Sequence, residues 1–94
     1  MDISREELGK RLELLRTIRG RTQEAFGQPI NMNRDAVCRV ERGKRDILAL
    51  ELVRLARHYC FRIDPLLEVR ADGTWDITAC LLPYRDPGLE ATEE

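Results

Sequence analysis

Apolar residues recur at helical spacing from near the start of the chain, at Leu8, Leu12 and Leu15, as one face of an α-helix requires. Ser4, with Glu7 three residues on, forms a capping box in which hydroxyl and carboxylate can each satisfy an orphan backbone N–H. The first helix therefore starts there, and Gly20 supplies its stop. Thr22 caps a short second helix from Gln23 to about Pro29, with Ala25 and Phe26 turned inward. Asn31 tolerates the left-handed conformation of a tight turn. Asn33 then caps a third helix running to Arg42, with Val37 and Val40 inward and Gly43 ending it. A fourth helix is expected from Asp46 to about Tyr59, with Ala49, Leu52, Leu55, Ala56 and Tyr59 on one stripe. Asp64-Pro65 reads as a cap followed by proline at the first helical position, opening a short fifth helix with Leu66 and Leu67.

The period changes after Glu68. Asp72-Gly73 suits a primed turn, and beyond it Trp75, Ile77, Ala79 and Leu81 alternate with Thr74, Asp76, Thr78 and Cys80. The expected fold is mainly α: a five-helix bundle with a short C-terminal β-hairpin or strand. Residues 1–68 form the bundle, 69–82 the hairpin or strand, and 83–94 a tail whose prolines and acidic groups predict disorder.

Ninety-four residues suffice for one modest core. No apolar run is long enough to span a bilayer, and Met1 to Lys10 is polar, so neither a membrane segment nor a signal peptide is expected. The net charge of −1 hides an asymmetry. Residues 1–62 carry fourteen Lys/Arg against nine Asp/Glu, and residues 63–94 carry two against eight. A basic body with an acidic end is compatible with a polyanionic partner, because the local field steers it more than the net charge does. Cys38, Cys60 and Cys80 are widely separated and odd in number, which argues for a reducing, cytoplasmic setting rather than a disulfide framework. His58 has no ligand-like spacing to any of them and no catalytic companion. No metal, no cofactor and no enzymatic activity are expected.

Two short capped helices joined by a tight turn fit a helix-turn-helix. Here the chain resembles a family. Thr22-Gln23-Glu24-Ala25-Phe26 and Asn33-Arg34-Asp35-Ala36-Val37-Cys38-Arg39-Val40-Glu41-Arg42-Gly43-Lys44-Arg45 are similar to the Xre/Cro-type helix-turn-helix of phage and bacterial repressors. The similarity runs without a gap from about Leu8 to Leu67. The resemblance implies a repressor-like bundle that binds double-stranded DNA with its third helix in the major groove. It implies base reading by Arg34, Asp35 and Arg39, and backbone binding by Gln23, Asn33, Arg42 and Lys44. It also implies a structural ion pair between Arg16 and Glu41. Independently of the family, Arg34, Asp35, Cys38, Arg39 and Arg42 fall within an arc of about 140° at 100° per residue. Arginine can donate twice to guanine, and Asp35 can either accept from cytosine or hold Arg34 or Arg39 in position.

The chain departs from the family at several places. Arg21 stands where relatives place an apolar staple, Pro29 falls near the end of the second helix, and Asn31 and Cys60 replace turn glycines. Leu14, Ile18, Leu48 and Leu50 are apolar where relatives are commonly polar, as isolated exposed residues, as cover for an interface, or to receive the Trp75 strand. One such unit reads few base pairs, so a homodimeric transcriptional regulator is expected. Its dimer contact lies on the strand face of Trp75, Ile77, Ala79 and Leu81, or on the fourth and fifth helices as in many relatives. The alternative is an antitoxin or adaptor whose acidic C-terminal segment binds a partner protein.

Overall fold

The computed structural model describes residues 2–82. The acidic tail expected over 83–94 lies outside the described residues. The fold is mainly helical, with α1 (Arg5–Ile18), α2 (Gln23–Gly27), α3 (Arg34–Glu41), α4 (Ala49–Tyr59), α5 (Ile63–Leu67) and α6 (Ile77–Cys80). A 3₁₀ turn, Gln28–Ile30, separates α2 from α3. The caps at Ser4, Thr22 and Asn33 each accept the backbone N–H three residues on, as their side chains permit. Leu12 and Leu15 of α1, Val37 and Val40 of α3, and Leu52, Leu55 and Ala56 of α4 close one core around Phe26, Phe61 and Leu66.

Two boundaries move from their expected places. α4 starts at Ala49, not Asp46, because Asp46 turns to Arg5 at 3.3 Å while Glu51 reaches back to the Leu48 N–H at 2.9 Å. α5 starts at Ile63, so Arg62 rather than Asp64 is the cap residue, and Pro65 still falls in the first turn. There its missing N–H costs no helical bond.

The strand expected within 69–82 is not formed: no strand occurs among the described residues. A turn does form here, but its centre is Ala71-Asp72 and not the primed Asp72-Gly73 expected. The Gly73 N–H donates to the Arg70 carbonyl at 3.0 Å, and Gly73, at φ +79°, takes the last position of the turn while Asp72 stays out of the left-handed region. Beyond this turn the chain becomes helical because Asp76 accepts the backbone N–H of Thr78 and so caps α6. Such a local side-chain bond competes with a ladder. Trp75, Ile77 and Leu81 pack against the chain's own core, and Cys80 is fully buried in it. Segment 69–82 is thus an arm laid on the bundle. The Trp75 indole donates to the Pro65 carbonyl at 3.1 Å, and the Cys80 carbonyl receives the Arg62 N–H at 2.9 Å.

Arg11 secures the arm. It is 4% exposed and donates to the Leu66 and Glu68 carbonyls at 2.8 and 2.7 Å, to Glu7 at 3.1 Å, and lies 5.0 Å over the Trp75 ring. Trp75→Ala is expected to cost about 2 kcal/mol, the value of a half-buried large aromatic, and to lower the midpoint of thermal unfolding.

Candidate nucleic-acid interface

The unit that presents α3 is built from short-range chemistry. Phe26 of α2 stacks on Tyr59 of α4 at 5.0 Å, and the Tyr59 hydroxyl donates to the Ala25 carbonyl at 2.7 Å, so α2 is pinned to the bundle. Burial pushes the Tyr59 hydroxyl pKa up, with the Arg21 charge opposing. Gly27 admits the returning chain, since a Cβ there would lie 2.3 Å from the Met32 carbonyl oxygen. Asn31 then takes φ +56°, and Asn33 Oδ1 accepts the Ala36 N–H at 2.8 Å to start α3. The helix ends on Gly43 at φ +73°, with the Lys44 N–H on the Arg39 carbonyl at 2.8 Å.

A buried polar network sets the angle of α3. Arg16 of α1 holds both carboxylate oxygens of Glu41, at 2.6 and 3.2 Å, and Gln23 of α2 donates to the same carboxylate at 2.9 Å. The Glu41 side chain is only 4% exposed. Three helices therefore meet on one carboxylate, with Arg16 and Gln23 as its donors.

The outward side of α3 is different. Arg34, Asp35, Arg39 and Arg42 are exposed, as are Asn33 before it and Lys44 after it, while Cys38 is half-buried in their midst. Ala36, Val37 and Val40 take the opposite side. Among the described residues, no acceptor engages the side chains of Arg34, Arg39, Arg42 or Lys44, and Asp35 pairs with neither Arg34 nor Arg39. Arg5, Arg11, Arg16 and Arg19, by contrast, all have acceptors on the bundle. Cations collected on one face, outnumbering the single carboxylate of Asp35 and not paired to it, leave a positive field for a polyanion.

The residues expected to bind a backbone thus fall into two groups. Asn33, Arg42 and Lys44 are exposed around α3, whereas Gln23 is half-buried on Glu41. An amide nitrogen carries two hydrogens, so Gln23 retains one donor. Trp75, Ile77, Ala79 and Leu81 do not share a strand face. Trp75, Ile77 and Leu81 lie against the core and Ala79 is half-buried, so no strand edge presents the four together. Leu14, Ile18, Leu48 and Leu50 stay exposed, and Trp75 packs elsewhere.

The sequence reading missed Gly9 and Arg11. Gly9 is buried where α1 meets the last turn of α3, and nothing in its flanking sequence marks that contact. For Arg11, the Glu7 spacing was the one signal present. Of the three thiols, Cys80 is buried, which raises its pKa, and Cys60 sits exposed at φ +58°.

Comparison with known proteins agrees with this geometry. The family described as Helix-turn-helix domain matches residues 7–68. Among solved structures, the chain is similar to the restriction-modification controller protein C.AhdI from Aeromonas hydrophila. The two share 33% identity at a TM-score of 0.53, over 57% of this chain and 82% of that one. No curated protein matches.

Proposed function

The chain belongs to the helix-turn-helix domain family, as an Xre-like DNA-binding regulator, and from that premise we propose that it is a homodimeric transcriptional regulator reading double-stranded DNA with α3 in the major groove. The observation that carries this reading is the row of exposed, unpaired cations on α3, held at a fixed angle by the Glu41 network. Arg34 and Arg39 are long enough to donate to guanine O6 and N7, and an unpaired Asp35 can accept from the cytosine amino group. Asn33, Arg42, Lys44 and the free hydrogen of Gln23 hold phosphates and fix the register. Similarity to a restriction-modification controller favours a regulator over a protein adaptor.

A half-site is short, and two copies give the information an operator needs. Leu48 and Leu50, 64% and 69% exposed at the start of α4, are the most exposed large apolar side chains among the described residues and the ones we assign to a second copy. Leu48→Asp with Leu50→Asp is expected to weaken self-association roughly tenfold or more, because the carboxylates would be desolvated without partners. Sedimentation equilibrium checks this, and an unchanged dimer would place the contact elsewhere.

The function is tested by fluorescence anisotropy on DNA from upstream of the protein's own gene, against a scrambled duplex. Binding that survives competitor supports it. Equal, weak binding to both would sink it.

A further inference from the structure

Arg21 precedes the Thr22 cap, the position from which an apolar side chain reaches across the first turn to Phe26. The structure fills this place in another way. The Arg21 guanidinium lies 6.0 Å over the Tyr59 ring, and Tyr59 stacks on Phe26. A cation forms the outer layer of an aromatic stack, so the staple is replaced and a charge stays at the surface. Arg21 is exposed, and among the described residues no carboxylate lies within ion-pair distance of it.

Its backbone is firmly held. The Arg21 N–H donates to the Arg16 carbonyl at 3.1 Å, and the Arg21 carbonyl accepts from Arg16 Nη1 at 2.9 Å. That same guanidinium binds Glu41 through Nε and Nη2. Arg21 and the last turn of α3 therefore hang on one side chain, and the next residue of that turn is the exposed Arg42.

We propose that Arg21 is a further phosphate-binding residue of the interface, gripping the DNA backbone beside the C-terminal turn of α3. The inference rests on the DNA-reading function proposed above. A guanidinium with no carboxylate partner gives up no ion pair to reach a phosphate, and its planar fork matches phosphate oxygens. Resting on Tyr59, it also loses less conformational freedom on binding than a free side chain. The contact is sequence-independent and works by releasing counterions. At this position the chain exchanges an apolar packing contact for a binding charge.

The test uses the full chain and a duplex enriched by it from a random-sequence library, with affinity measured across a salt series. Arg21→Gln and Arg21→Leu are each expected to reduce the slope of log affinity against log salt by about one, and to weaken enriched and scrambled duplexes by the same factor. Arg21→Lys keeps the slope. Arg21→Leu, able to reach Phe26, holds or raises the midpoint of thermal unfolding, which separates lost binding from lost fold. An unchanged slope in Arg21→Gln and Arg21→Leu, while the parent chain still prefers the enriched duplex, overturns the inference and leaves the function standing. A loss confined to the enriched duplex also overturns it, since Arg21 would then read bases. Failure of the parent chain to enrich any duplex overturns the function and the inference together.

Discussion

Glu41→Ala is expected to destabilise the fold by about 3–5 kcal/mol, the usual cost of removing one member of a buried ion pair. The carboxylate is 4% exposed and accepts from Arg16 at 2.6 and 3.2 Å and from Gln23 at 2.9 Å. Alanine leaves the Arg16 charge, itself only 15% exposed, with the Arg21 carbonyl as its remaining acceptor. It also strands the Gln23 amide. For a domain of this size each kcal/mol shifts the midpoint of thermal unfolding by about 4–8 °C, so a fall of well over 10 °C is expected. Glu41→Gln keeps the shape and one acceptor, and should fall between the two. A Glu41→Ala loss below about 1 kcal/mol, the range of an exposed pair, would mean that the network does not hold α3.

Gly9→Ala is the second large effect, and its sign is the informative part. In an exposed helix interior the change would stabilise by about 1 kcal/mol. At Gly9 a Cβ would lie 2.4 Å from the Val40 carbonyl oxygen and 2.6 Å from that of Glu41. These are backbone atoms and cannot rotate aside, so α1 and α3 must part, pulling on the Arg16–Glu41 pair as they do. The expected cost is about 3 kcal/mol, the upper part of the usual overpacking range, read as a lower denaturation midpoint. A stabilised variant would show that the two helices do not approach this closely.

Those two positions mark where local sequence stops being informative. Thr22, Asn31 and Asn33 act on the backbone within three residues, so their caps and turn could be read directly. The outward arc of α3 follows from helical period alone. Gly9 depends on the carbonyls of Val40 and Glu41, more than thirty residues away, and Arg11 on those of Leu66 and Glu68, contacts no local pattern encodes. The arm misled for a different reason. Alternation from Thr74 to Leu81 is what a strand requires, but the outcome turned on Asp76 capping Thr78 and on Trp75 reaching Pro65. That the chain turns near Asp72-Gly73 was legible, but neither the centre of the turn nor the structure that follows it was. Arg16 and Glu41 were paired through the family resemblance, while Gln23 as a third member appears only in the geometry.

The most direct test of α3 as the reading helix is the specificity of Arg34→Ala and Arg39→Ala for an enriched duplex over a scrambled one, at fixed salt. Both side chains are exposed and have no protein acceptor among the described residues, so the fold should be untouched. Each loss is expected to cost about 1–3 kcal/mol of discrimination at particular base pairs, with scrambled-duplex binding falling far less. Equal weakening on both duplexes, or no change on either, would contradict that role for α3.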